Sequence, residues 1–219
     1  MLVKDFMTPN VITINEDQNI LEAREALVSN NITSLPVVDD LKRVRGLITM
    51  GDIAKASPSE GTTLSRYETN YLLGRLKVKD IMIRNVITVN EEDSIESICY
   101  QVYKSNLKAF PVVDKNNKLC GIIAQTDMLR AFVVAFGLHR SCTRITVGLK
   151  DEPGALAGLT KLFADNQVNI LSLITRVDDE GGPAEIIIRA KLENRMDVIE
   201  QIREAGYNIT DVMTIRGVA

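Results

Sequence analysis

One feature limits this chain more than any other: much of it is written twice. At an offset of 75 positions, "VKDFMTPNVITINEDQNI" from Val3 lies over "VKDIMIRNVITVNEEDSI" from Val78. "SLPVVDD" from Ser34 lies over "AFPVVDK" from Ala109, and "GLITMGD" (Gly46 to Asp52) over "GIIAQTD" (Gly121 to Asp127). No gap is needed from Val3 to Lys55. A duplication this close implies two similar units that pack on one another about a pseudo-twofold axis.

Each copy can be read physically. "VITI" and "VITV" are β-branched runs between polar residues, and read as short strands or extended segments. A helix follows. In the second copy Ile95, Ile98, Cys99 and Val102 share one helical face, which places Cys99 in the core. The first copy keeps Ile20, Ala23 and Leu27, with Arg24 in the fourth place. Asp17 and Asp93 stand near the helix starts, where acidic groups suit the helix dipole. "LPVVDD" and "FPVVDK" read as buried strands running into a polar turn. "VRGLIT" and "LCGIIA" pair back as hairpins, and the last helix starts at the aspartate. The order is β-α-β-β-α, twice. The copies occupy 1–56 and 78–138. A linker, 57–77, is loop-like at first and helical in its second half, from Tyr67 to Leu76.

From Thr143 the pattern changes. Ile145, Val147 and Leu149 alternate as a half-buried strand. "DEPGAL" turns into a helix, with Asp151 as its cap, Pro153 near its first turn and Leu156, Leu159 and Phe163 as its apolar stripe. "VNILSLITRV" and "EIIIRAKL" are strands joined by the hairpin turn "DDEGGPAE". "RMDVIEQIREAG" is a helix closed by Gly206, and "YNITDVMTI" is the last strand. The order βαββαβ over 143–217 is the ferredoxin-like one. The fold class is mixed α/β (α+β).

Composition narrows function by exclusion. A net charge of −3 does not suit a basic nucleic-acid binder. The longest apolar stretch, Met128 to Leu138, is interrupted by Arg130 and is about half the ~20 residues a membrane span needs. The opening has no apolar signal region, and the 3 cysteines have no framework spacing. These point to a cytoplasmic protein with reduced thiols. A single histidine and the lack of nucleophile, metal or phosphate-loop motifs point away from an enzyme and from a metal site.

The repeated opening "M-T-P-N-V-I-T", the "L-P-V-V-D" strand and the glycine, two apolar residues, threonine and aspartate of "GLITMGD" resemble a tandem pair of cystathionine-β-synthase (CBS) domains, a Bateman module, over about residues 1–138. The resemblance implies clefts between the paired units that take an adenine nucleotide (AMP, ADP or ATP) or S-adenosylmethionine as a regulatory ligand. By position it implies contacts from Thr49 and Asp52 in the first copy. In the second copy Asp127 matches, but Ala124 stands in the threonine's place and Thr126 is displaced beside the aspartate. It implies an adenine wall from the opening segments, Thr8 to Thr13 (Thr8, Val11 and Thr13) and Ile83 to Thr88 (Val86 and Thr88 among them). It implies phosphate contacts from Thr33, Ser34, Lys108 and Ala109. Read from the residues alone, Asp52 and Asp127 fit helix capping as well as ribose binding. Arg43, Arg45, Arg84 and Lys118 fit either phosphate neutralisation or solvated turns.

"DEPGAL" followed by "NQVNI" resembles an ACT domain, a small regulatory module that often binds amino acids. The matching positions are Asp151, Gly154, Ala155, Leu156, Asn169 and Ile170. A CBS pair followed by an ACT domain, with "KASPS" and "TDMLRAF" at the two exits, resembles the acetoin utilisation protein B family. The expected protein is a homodimeric regulator acting on a protein target that the sequence does not name. The alternatives are a scaffolding oligomer with empty clefts and an amino-acid sensor working through the ACT domain alone.

Overall fold

A computed structural model describes residues 1–57, 65–105, 107–150, 152–176, 184–192 and 195–217. The chain divides into two compact units, Met1–Ala131 and Phe132–Ala219.

The first unit opens with a turn of 3-10 helix, Val3–Asp5. The first copy then runs β1 (Thr8–Pro9), β2 (Ile14–Asn15), α1 (Ile20–Ser29), β3 (Ser34–Val38), β4 (Val44–Thr49) and α2 (Met50–Ala56). Then come α3 (Arg66–Arg75), in the second half of the linker, and α4 (Val78–Ile81). The second copy continues with β5 (Val89–Asn90), α5 (Ile95–Lys104), β6 (Ala109–Val113), β7 (Leu119–Ala124) and α6 (Gln125–Ala135).

Local chemistry explains these boundaries. Asn19 caps α1 by accepting from the Glu22 amide, and Ser94 caps α5 by accepting from Ser97. Ile20, Ala23 and Leu27 are buried, as are Ile95, Ile98 and Val102, while Arg24 stays exposed. Cys99 departs from the expectation. It is only half-buried, because it sits at the flank of the α5 stripe. Asp17 and Asp93 lie ahead of the caps. Asp93 accepts from the Asn90 amide, and Asp17 pairs with Lys77 and Lys79. β3 runs parallel to β2 and antiparallel to β4, and β6 holds the same place between β5 and β7. The aspartate after each central strand ties its turn. Asp39 accepts from Leu41 and Arg43, and Asp114 from Asn116 and Lys118. These amides hold both carboxyls below their ordinary range.

The two copies exchange their openings. β1 of the first copy pairs with β7 of the second, Thr8 opposite Ile122. In return Ile83 pairs with Leu47 of β4. The backbone follows the same rule: Val3 and Lys4 donate to Asp93 and Glu91, and Val78 and Lys79 donate to Gln18 and Glu16. Ion pairs clamp both ends, Lys4 to Glu92 and Lys79 to Asp17. The glycine of the repeated phrase belongs to this exchange. A Cβ on Gly46 would meet the Ile83 carbonyl at 2.7 Å and Met82 Sδ at 2.8 Å, and one on Gly121 would run into Met7 Sδ. Glycine leaves room for the other copy's methionine.

The second unit is β8 (Cys142–Leu149), α7 (Ala155–Asp165), β9 (Ile170–Arg176), β10 (Ala184–Ala190), α8 (Met196–Glu204) and β11 (Asn208–Ile215). Its antiparallel sheet has the order β11-β8-β10-β9, the ferredoxin-like arrangement. Ile145, Val147, Leu159, Phe163, Ile186, Ile188, Val198 and Ile202 form its core. α7 starts later than its sequence suggested. Gly154, at φ +92°, is its N-cap, and Pro153 stands just ahead of it. That start turns Leu156 outward, at 38% exposure, while Leu159 and Phe163 are buried. Asp151 and most of the "DDEGGPAE" turn lie outside the described residues. Gly206, at φ +88°, closes α8 as expected, with the Tyr207 amide bonded back to Ile202.

Candidate functional site

The aspartate of the repeated phrase does not start its helix. Thr49 is the N-cap of α2 and Asp52 stands at the third helical position. Asp52 Oδ2 accepts from the Thr49 amide at 2.9 Å and from Thr49 Oγ1 at 2.6 Å, and the Asp52 amide donates to Thr49 Oγ1 at 3.3 Å. This is a reciprocal capping box. It uses one carboxylate oxygen. Oδ1 has no hydrogen-bond partner among the described residues, so capping and ligand binding do not compete for the same atom.

Asp52 lines a cleft of about 490 Å³. The cleft gathers residues far apart in sequence: Thr33 and Ser34 entering β3, Thr49 and Asp52 at the start of α2, and Lys108 and Ala109 entering β6. Ile32, Leu47, Ile83 and Leu107 supply apolar wall, and Met50, Gly51 and Lys55 complete the lining. The hairpins hold this geometry, since Ser34 pairs with Thr49 and Ala109 with Ala124. The exchanged opening delivers Ile83 from the second copy to the first copy's phrase. Lys55 was missed by sequence reasoning, although it lies one helical turn after Asp52 and therefore on the same side of α2. Arg43, Arg45, Arg84 and Lys118 do not line the cleft. Arg45 is paired with Asp39, and Arg84 donates to the Lys79 carbonyl.

The second copy differs. Asp127 Oδ2 accepts from the Ala124 amide at 2.9 Å, so half the box survives without a threonine. Its other oxygen, Oδ1, lies 3.4 Å from Arg130 Nη2. The same Nη2 donates to the Phe6 carbonyl at 2.8 Å. Thr126 is exposed on the first turn of α6 and does not take over the threonine's role. Of the opening segments only Ile83 lines the cleft. Thr8 is exposed in β1, while Val11 and Thr13 line a separate cavity of about 340 Å³ with Lys42, Leu119 and Cys120. Burial pushes the Cys120 thiol up to about 11. Val86 is half-buried and Thr88 exposed, and neither lines the cleft.

In the second unit a cavity of about 530 Å³ lies between the end of β8 and the turn from α8 into β11. Lys150 and Ala155 line it with Gly206, Tyr207 and Asn208. Gly154 and Leu156 are exposed beside it. Asn169 and Ile170 are not near it. Ile170 pairs with Ala190, which in turn faces Thr143, at the opposite end of β8 from Leu149. Among the described residues no cluster of three His, Cys, Asp or Glu could hold a metal ion, and no helix is long and apolar enough to cross a membrane.

Comparison with known proteins agrees with this architecture. Residues 3–59 and 78–134 match the CBS domain family, and residues 143–207 match the ACT domain family. Homoserine O-acetyltransferase of Methanosalsum zhilinae is 36% identical over 141 residues, 64% of this chain and 25% of that protein. The chain thus spans about a quarter of the length of that curated relative. A CBS domain-containing protein of Dictyostelium discoideum is 30% identical over 129 residues, 59% of this chain and 89% of that one. Among solved structures, the CBS-pair protein CBSX2 of Arabidopsis thaliana in complex with AMP superposes with a TM-score of 0.51 at 29% identity, covering 60% of this chain and 96% of that one.

Proposed function

The chain belongs to the CBS-domain family, with an ACT domain behind its CBS pair, and from that premise we propose that it is a non-catalytic regulatory protein that senses an adenine nucleotide or S-adenosylmethionine. The ligand lies in the cleft around Asp52. One observation carries this reading: Thr33, Ser34, Thr49, Asp52, Lys108 and Ala109 converge on a single cleft with an apolar wall. Its apolar side suits a purine face. The free Oδ1 of Asp52 suits a ribose diol, whose hydroxyls donate best to a charged acceptor. That CBSX2 has been solved with AMP supports the same choice of ligand.

Binding across the cleft links the two copies, because its lining comes from both. A ligand that favours one arrangement of the pair shifts its population and passes that shift to a protein target. The ACT domain serves as a dimerisation or second-ligand module. Gly154 follows the end of β8, while Asn169 precedes β9, whose first residue lies level with the start of β8, so an amino acid held by both needs a second copy of the chain, which favours a homodimer. Kinship with the acetoin utilisation protein B family, and with it a role in acetoin metabolism, rests on the domain order and on the "KASPS" and "TDMLRAF" segments alone.

Asp52→Ala tests the reading. Titration calorimetry with AMP is expected to show binding weakened about tenfold or more through loss of charged hydrogen bonds. Loss of half the capping box costs about 1 kcal/mol of stability, a separate readout. Unchanged affinity removes Asp52 from the site.

A further inference from the structure

The sheet of the second unit has two faces. One carries Ile145, Val147, Ile186 and Ile188 into the core. The residues between them point to the other face, because side chains alternate along a strand. The register sets that second face out in rows. Ser172, Arg189, Arg144 and Met213 lie level across β9, β10, β8 and β11, and Ile174, Ile187, Thr146 and Asp211 form the next row. Arg176 and Glu185 begin the row after that.

Two of the three arginines in these rows are neutralised in place. Arg144 pairs with Asp211 at 2.6 Å and Arg176 with Glu185 at 3.5 Å. Arg189 is not neutralised. It is 7% exposed, its Nε has no hydrogen-bond partner, and it forms no ion pair among the described residues. The hydroxyl of Ser172 beside it donates to the Phe136 carbonyl. The Thr146 hydroxyl, one diagonal step away across the strands, is also without a partner, in a residue 5% exposed. A guanidinium cannot shed its proton, and a buried charge left uncompensated is costly. Both orphaned groups can donate, so both call for an acceptor that carries negative charge.

We propose that this face binds a small monocarboxylate without an amino group, its oxygens held by the Arg189 guanidinium and the Thr146 hydroxyl. A carboxylate matches the planar fork of an arginine. A single negative charge matches the surplus, three arginines against the two carboxylates of Asp211 and Glu185. Ile174 and Ile187, in the same row as Thr146, suit a short apolar tail. An amino acid would bring its ammonium group to Arg189 and Arg144. A second copy stacked by the same face would bring the same surplus charge and leave both copies of Arg189 unpaired. The site is separate from the positions where an ACT domain's amino acid is expected. Ile170 packs against the core on the other face, and Gly154 lies beyond the far end of β8. It stands whether or not the Asp52 cleft takes a nucleotide.

Thermal unfolding of the purified full chain tests this with propionate, alanine and phosphate against sodium chloride at equal ionic strength, on wild type, Arg189→Met and Thr146→Val. Propionate is expected to raise the wild-type midpoint as its concentration rises, and alanine, phosphate and chloride to do little. Arg189→Met keeps most of the side chain's bulk without its charge. It is expected to melt at or above wild type in chloride, and to ignore propionate. Thr146→Val keeps the arginine, and is expected to need about tenfold more propionate for the same shift, through loss of a hydrogen bond to a charged group. A wild type that ignores propionate, an equal response to alanine, phosphate or chloride, or a variant that responds like wild type each overturn the proposal. So does an Arg189→Met chain that melts well below wild type or does not fold, since the arginine then stabilises the chain without any anion.

Discussion

Gly46→Ala probes the exchange of openings that builds the cleft. The added Cβ would meet a backbone oxygen, Ile83 O, at 2.7 Å, and Met82 Sδ and Cγ at 2.8 and 3.1 Å. A backbone carbonyl cannot swing aside as a side-chain tip can, so the crossed segment must lift. Leu47 and Ile83 then lose their two mutual hydrogen bonds, now 3.0 and 2.8 Å. At about 1 kcal/mol each these amount to about 2 kcal/mol. Partial exposure of Met82, now 8% accessible, adds about 1 kcal/mol. A total near 3 kcal/mol corresponds to about a hundredfold in an opening equilibrium. Amide hydrogen exchange at Leu47 and Ile83 reads that number directly and stays within one unit of a chain that has two. Gly51→Ala is the control. Its nearest neighbour is Thr49 Oγ1 at 3.5 Å, and alanine in α2 should stabilise by about 0.5 kcal/mol. Wild-type exchange at Leu47 and Ile83 in Gly46→Ala would refute the steric account of the glycine.

Ala124→Thr should complete the half-formed capping box of α6 and raise stability by about 1 kcal/mol in urea unfolding, and an unchanged midpoint would contradict the box at Asp127. Cys120, with its thiol pushed up to about 11, should alkylate at pH 8 at about one hundredth the rate of a cysteine titrating near 9, and a rate near that of a free thiol contradicts its burial.

The two copies and their β-α-β-β-α order were legible because periodicity and turn chemistry are local. Ile98 and Val102 declare a helix face, and Asp39 and Asp114 declare a turn, without any distant partner. The exchange of openings was not legible. Nothing in "VKDFMTPN" says that Thr8 pairs with Ile122 instead of with its own copy's hairpin. The same limit hid the reason for Gly46, whose constraint is Met82, a residue of the other copy. Thr49 and Asp52 were found as a pair, but their division of labour needed coordinates, since it turns on which carboxylate oxygen faces which hydrogen. Val11, Thr13, Val86 and Thr88 were expected at the cleft and lie elsewhere. Their place depends on how the extended opening crosses the sheet, which no residue pattern encodes. In the second unit the cap of α7 slipped from Asp151 to Gly154, because a left-handed glycine starts the helix later than a side-chain cap would.

The central claim is that the Asp52 cleft is where this chain meets its regulatory ligand. Hydrogen–deuterium exchange with and without saturating AMP tests it most directly. Protection is expected at residues 47–55 and 107–109, the cleft's segments from the two copies, with residues 124–130 unchanged. Protection confined to residues 148–158, or no change anywhere, would contradict the account and return the Thr49–Asp52 pair to helix capping alone.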